Sequence, residues 1–166
     1  MTERVYNILF ICTGNSARSI LAEAIANHRG DGRFHAYSAG SQPVGRVNPH
    51  AIDLLTRLGI PVDGLRSKSW DEFTGPGAPS FDFIITVCDN AAGEACPVWL
   101  GHPHTAHWGV PDPAHVEGTD LDKAAAFREA FRVLDHRVSL LKNLPLSSLD
   151  RLALQSQLTA IGKSGQ

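Results

Sequence analysis

An α/β protein with a parallel sheet covered on both faces is what this 166-residue chain predicts, on three observations. Strand-like and helix-like segments alternate along it, the pattern of a parallel sheet flanked by helices. Phe81-Asp-Phe-Ile-Ile-Thr-Val87 is nearly continuous in apolar residues, as a strand buried on both sides requires. The richest local motif lies past the end of a strand and before a helix, where ligands sit in such sheets.

The first strand is read near 4–11, from the apolar run Val5-Tyr-Asn-Ile-Leu-Phe-Ile11. A helix over 18–29 follows, since the apolar residues of Ile20-Leu-Ala-Glu-Ala-Ile-Ala-Asn-His28 recur at helical spacing. Further strands are expected near 34–39, 82–88 and 104–108. Further helices are expected near 48–58 and 120–142, with short turns around 69–73 and 90–95. Thr74-Gly-Pro-Gly-Ala-Pro-Ser80 reads as a turn-rich surface loop. Leucines at 146, 149, 152, 154 and 158 keep a roughly helical rhythm. That tail packs on the body, pairs with a second subunit or frays, and the rhythm does not choose. The expected division is one catalytic domain, 1–143, and a C-terminal helical extension, 144–166.

Bulk properties narrow the function classes. A single domain of this length buries about 68–70% of its unfolded surface. Net charge is −2 and neither sign clusters, so no nucleic-acid or membrane partner is expected. No apolar run approaches ~18 residues. A strand begins within a few residues of Met1, so no signal peptide is expected. Three cysteines without extracellular context suit a reducing compartment, where thiols are chemical rather than structural. The expected address is cytoplasmic.

The chemistry concentrates in Cys12-Thr-Gly-Asn-Ser-Ala-Arg18-Ser19. A loop entering a helix N-terminus gathers unpaired backbone N–H groups and the positive end of the helix dipole. Thr13, Gly14, Asn15, Ser16, Ala17 and Arg18 are thus read as an oxyanion cradle. Cysteine at the first position makes a nucleophile, and the same field is expected to lower its pKa. Arg18 supplies a planar fork that grips two oxygens at once. Gly14 lets the backbone curl without a Cβ, and Asn15 tolerates left-handed geometry. Ser19 is placed to support the Cys12 thiolate. The bare Cys-to-Arg spacing recurs by chance, and a structural cysteine before an ordinary helix cap is the plainer alternative. The strand-loop-helix setting favours the oxyanion site.

Asp112 lies in Val110-Pro-Asp-Pro113, where the prolines stiffen the backbone. A carboxyl held there can protonate a departing oxygen. The plainer alternative is a turn aspartate bonded to its own backbone.

These residues resemble the phosphate loop shared by low-molecular-weight protein tyrosine phosphatases and the arsenate reductases built on the same fold. Tyr37-Ser-Ala-Gly40, Asn48-Pro-His-Ala-Ile52, Leu58-Gly-Ile60, Thr86-Val-Cys88 and Trp108-Gly-Val-Pro-Asp112-Pro113 extend the likeness over residues 4 to about 143. The resemblance implies a three-layer α/β sandwich, with a four-stranded parallel sheet in the order 2-1-3-4. It assigns Asp112 the acid role and implies no cofactor.

Two further cysteines, Cys88 and Cys96, favour the reductase branch. In the arsenate reductases of this family the first thiolate forms an arseno-adduct, the second cysteine attacks it, and the third takes over the resulting disulfide. Carried here, the order is Cys12, Cys88, Cys96, with arsenate or phosphate as the oxyanion. The partner implied is a thioredoxin- or glutaredoxin-type reductant, left open because the Cys88 to Cys96 interval is one residue longer than in the thioredoxin-coupled reductases. The alternative is a phosphatase on phosphotyrosine or small phosphoesters, with two incidental cysteines. Against it, Ala17 and Ile20 replace the cysteine and proline usual in the phosphatases, and Ala114-His-Val-Glu117 lacks aromatic walls. Were 89–96 helical, Cys88 and Cys96 would stand ~12 Å apart. A disulfide needs Cα atoms within ~7 Å, so a mobile redox segment is expected over 88–98.

Some of these reductases bind potassium beside the loop, partly through a carboxylate after the second helix. Arg66-Ser-Lys68 offers a cation there, so an ammonium group is expected in place of a metal. His102-Pro-His104-Thr-Ala-His107 does not fit zinc-ligand spacing, and strand alternation puts His104 and His107 on opposite faces. No metal site is expected. Trp70, Trp99 and Trp108 are read as packing residues.

Overall fold

A computed structural model describes residues 4–88 and 102–165. The expected turn near 90–95, Cys96, Trp99 and the redox segment beyond Cys88 lie outside the described residues.

Strands β1 (Tyr6–Cys12), β2 (Phe34–Gly40), β3 (Phe83–Thr86) and β4 (His104–His107) form one parallel sheet. Its order is β2-β1-β3-β4, as the resemblance implies. The register sets Cys12 opposite Gly40 and Ile11 opposite Thr86. Successive strand residues point to opposite faces. Ile8, Leu9, Phe10 and Ile11 are all fully buried, so β1 is covered on both sides. The strand expected over 82–88 stops at Thr86. Val87 still bonds the Ile11 carbonyl and accepts from Val110 N–H, which leaves Cys88 two residues past the strand end.

Helix α1 (Arg18–Arg29) leads out of β1 without a side-chain cap, and that feature shapes the site below. α2 (Pro49–Arg57) starts on Asn48, whose side chain accepts from His50 N–H, with Pro49 at the first turn, where a missing donor costs nothing. α3 (Asp120–Lys142) opens with a capping box between Thr119 and Asp122. Its buried Phe127, Ala130, Phe131, Leu134, Val138 and Leu141 keep the spacing of one helical face. α1 packs on both β1 and α3. Arg29 tethers α1 to Asp135 of α3 at 2.8 Å.

The tail settles on the body. α4 (Arg151–Ile161) is capped by Asp150, which accepts from Ala153 N–H, and it packs against β4 and α3. Leu154, Leu158 and Ile161 are buried while Leu152 is exposed, the amphipathic pattern of a helix lying on a core. The indole of Trp108, fully buried, donates to the Leu158 carbonyl at 3.1 Å. Among the described residues, no helix is long and apolar enough to cross a membrane.

Candidate active site

The phosphate loop turns back on itself because its polar groups are used in a fixed sense. Its carbonyls point away from the helix start: Thr13 O accepts from Gln42, Gly14 O from Val44 and from Ser67 Oγ, and Ser16 O from Asn48. The N–H groups of Gly14, Ser16, Ala17 and Arg18 find no protein acceptor among the described residues. With α1 uncapped, they and the helix dipole make a seat for an oxyanion.

The left-handed residue is Asn15, at φ 47°. Gly14 has ordinary backbone, so the curl expected of it falls to Asn15 instead. The glycine that the loop requires is Gly40 on the neighbouring strand. A Cβ there would stand 2.4 Å from the Thr13 carbonyl and 3.0 Å from Asn15 Cβ. Only hydrogen fits.

Asn15 is fully buried and sets the polarity of a relay into the sulfur. Its Oδ1 accepts from the Lys68 backbone N–H at 2.9 Å, which fixes the side-chain amide. Its Nδ2 then donates to Ser19 Oγ at 2.8 Å. With that oxygen already accepting, the Ser19 hydroxyl is free to donate to Cys12 Sγ, 2.9 Å away. Asn15 N–H donates to the same sulfur at 3.3 Å. Every donor in this chain favours a charged sulfur.

Cys88 opposes them. Its sulfur accepts from Thr13 N–H at 3.3 Å and lies 3.6 Å from Thr13 Oγ1, and its thiol is hydrogen-bonded to Cys12. That bond and burial push the Cys12 pKa well above the ordinary thiol value, while the Ser19 hydroxyl and N–H pull it down. The lowered pKa expected from the loop alone is therefore corrected: the second thiol outweighs the loop, because two neighbouring sulfurs resist charging together. Both cysteines are buried and unbridged.

Arg18 reaches across to the loop after β4. Its Nη1 donates to the Val110 carbonyl at 2.9 Å, and its Nη2 stands 3.5 Å from Asp112 Oδ2. Asp112 Oδ1 accepts from Ala114 N–H at 2.9 Å, capping a short 3-10 turn over Pro113–His115. The turn reading of this aspartate holds, and its other oxygen faces Arg18 and His115 Nε2, 3.4 Å away. Cys12, Arg18, Cys88 and Asp112 share the rim of one open cleft of about 1070 Å³, with Thr159, Gly162 and Lys163 of the C-terminal tail.

Behind the loop lies a cluster that sequence reasoning reached only in part. Lys68 Nζ stands 3.8 Å from Glu23 Oε1 and donates to the Arg66 carbonyl at 2.9 Å. Ser38 Oγ donates to the same carboxylate at 2.5 Å. The ammonium already faces Glu23, so the residues present do not suit a metal cation. Burial pushes the Glu23 pKa up and the Lys68 pKa down. Glu23 carried no signal of its own in the sequence, and Ser38 only its place in the matched Tyr37-Ser-Ala-Gly40 motif. Of the histidines, His104 is buried beside Gln155, while His107 is exposed, 2.8 Å from Thr86 Oγ1, and lines the cleft.

A sequence model described as low molecular weight phosphotyrosine protein phosphatase matches residues 7–152. An arsenate reductase of Bacillus licheniformis is 38% identical over 132 residues, 79% of this chain and 91% of that protein. One from Halalkalibacterium halodurans is 36% identical over 131 residues, with the same coverage. The crystal structure of an arsenate reductase from Archaeoglobus fulgidus superposes with a TM-score of 0.64 at 27% identity, covering 82% of this chain and 99% of that one.

Proposed function

This chain belongs to the low-molecular-weight phosphotyrosine protein phosphatase family, and we propose that within it the protein reduces arsenate to arsenite. The observation that carries the reading is the second thiol at the nucleophile, Cys88 beside Cys12 and Thr13. Ester hydrolysis has no use for it.

The loop amides and Arg18 hold the oxyanion, and Cys12 Sγ attacks As(V). One arsenate hydroxyl leaves as water, protonated through Asp112, and the Cys12 thiol proton is the one consumed overall. Ser19 and Asn15 N–H stabilise the charge that develops on sulfur in this step. Cys88 then attacks Cys12 Sγ. The S–S bond forms, the S–As bond breaks, and its electron pair stays on arsenic, which departs as As(III) with the Cys88 proton. The Thr13 N–H on Cys88 suits this attack, because a thiolate is the competent nucleophile. Cys96 next attacks Cys88, releasing Cys12 as a thiol and leaving a Cys88–Cys96 disulfide. A thioredoxin- or glutaredoxin-type dithiol returns the two electrons. Such a cycle belongs to a reducing compartment, the cytoplasm.

Arsenate-dependent turnover with either dithiol protein tests the reading. Cys12→Ser is expected to abolish it, and Cys88→Ser to abolish it while sparing cleavage of an aryl phosphate. Full arsenate turnover in Cys88→Ser overturns the relay. The phosphatase alternative has the loop and Asp112 in its favour, and it prevails if arsenate turnover is absent while aryl phosphate cleavage depends on Cys12.

A further inference from the structure

We propose that Arg137 and the end of the C-terminal tail are positioning elements for the 108–112 loop, aiming Asp112 at the departing oxygen; this rests on Asp112 being the acid. Arg137 lies on α3 and is fully buried. Its Nε donates to the Ser164 carbonyl and its Nη1 to the Gly109 carbonyl, each at 3.1 Å. Among the described residues it has no carboxylate partner, and its Nη2 has no hydrogen bond. A buried guanidinium without a counter-charge is a poor core filler. An apolar side chain of similar length would lie there at lower desolvation cost. What the guanidinium adds is a fork that ties the tail to the residue between Trp108 and Val110.

The tail grips the same stretch in two further places. Trp108 Nε1 donates to the Leu158 carbonyl. Gly162 sits so close that a Cβ would stand 2.5 Å from the His107 carbonyl and 2.8 Å from the Trp108 ring. Residues 107–109 are thus held from α3 and from α4, immediately before Val110 takes the Arg18 bond and Asp112 faces its guanidinium. Leu158, Gly162 and Ser164 all lie beyond residue 152, where the family match ends. The extension is a wall of the site.

The full-length protein tests this with two readouts. Amide exchange at Trp108 and Val110, which bond the Thr86 and Val87 carbonyls, reports the tie itself. Steady-state arsenate kinetics report its consequence. In Arg137→Met, exchange at both amides is expected to accelerate at least several-fold. Its kcat should fall roughly tenfold while KM stays within about twofold, because a misaimed acid slows the step without loosening the oxyanion. Arg137→Lys, which keeps one donor, should recover part of the loss. Gly162→Val wedges the tail away with the guanidinium in place and should reproduce the pattern; it also replaces Arg137→Met if that variant does not fold. Unchanged exchange at both amides overturns the proposal. So does a fall in Cys12 alkylation by iodoacetamide that matches the fall in kcat, because the damage would then lie in the phosphate loop. Asp112→Asn separates the two ideas: full kcat in that variant refutes the acid assignment, whereas exchange at Trp108 and Val110 judges the tie independently.

Discussion

The phosphate loop and the 108–112 loop both rise from carboxyl ends of the sheet, but they are anchored from different places. The first is held in part by its own residues, Asn15 and Ser19, and its outer bonds go to the 42–68 stretch, through Gln42, Val44, Asn48, Ser67 and Lys68. The second has one polar side chain in Trp108-Gly-Val-Pro-Asp112 besides the indole N–H. It draws its anchors from α3 and the tail, through Arg137, Leu158 and Gly162. A polar loop can carry its own network within a short motif. An apolar one must be clamped by distant chain, so its position is a property of the fold.

Arg18 joins the two loops, and its replacement should have the largest effect. In Arg18→Lys the ammonium cannot hold an oxyanion through two parallel bonds and also reach Val110. A loss of roughly 10²–10³ in kcat/KM for arsenate is expected, by analogy with removal of one preorganised oxyanion donor. A fall of less than about fivefold would break the idea that Arg18 grips the substrate.

Gly40→Ala probes the phosphate loop alone. Its methyl would press on the Thr13 carbonyl and Asn15, at a cost of about 1–3 kcal/mol. Calorimetry should show a melting temperature lowered by roughly 2–10 °C. Amide exchange at Trp108 and Val110 should stay near that of the unmodified protein; a matching change there would mean the two loops are not independently held.

Cys88→Ser tests the thiol electrostatics by pH. Cys88 raises the Cys12 pKa, so removing its thiol lowers that pKa and enlarges the thiolate fraction at neutral pH. Alkylation of Cys12 at pH 7 should be several-fold faster, with the rate-versus-pH curve displaced to lower pH. A curve unmoved, or moved upward, would restore the loop as the dominant influence. Trp108→Phe should have the smallest effect, about 1 kcal/mol from the lost bond to Leu158, read by denaturant unfolding. Faster exchange at Val110 with Cys12 alkylation unchanged would sharpen the contrast between the loops.

How much was legible follows the same division. The boundaries of α1 and α3 could be read from apolar periodicity, because a helix face is a local pattern. Cys12, Arg18 and Asp112 stood out because residue type, spacing and neighbours agreed over a few positions. Glu23 and Arg137 stayed hidden, and Ser38 and Gly40 stood in a matched motif without showing their roles. Each role arises from a partner 15 or more residues away: Ser38 with Glu23, Gly40 with Thr13, Arg137 with Gly109.

Unaided, the sequence determined the parallel α/β architecture and a strand-loop-helix turn with a cysteine at its start, since these depend on periodicity and on chemistry within a few residues. Tertiary structure decided which sulfur neighbours which, the direction in which Cys12 is shifted, and what holds Asp112 in place. Those depend on burial and on groups brought together across 75 residues, as with Thr13 and Cys88. The energy of a charge is set by everything around it in space, and a local motif contains only part of that surrounding.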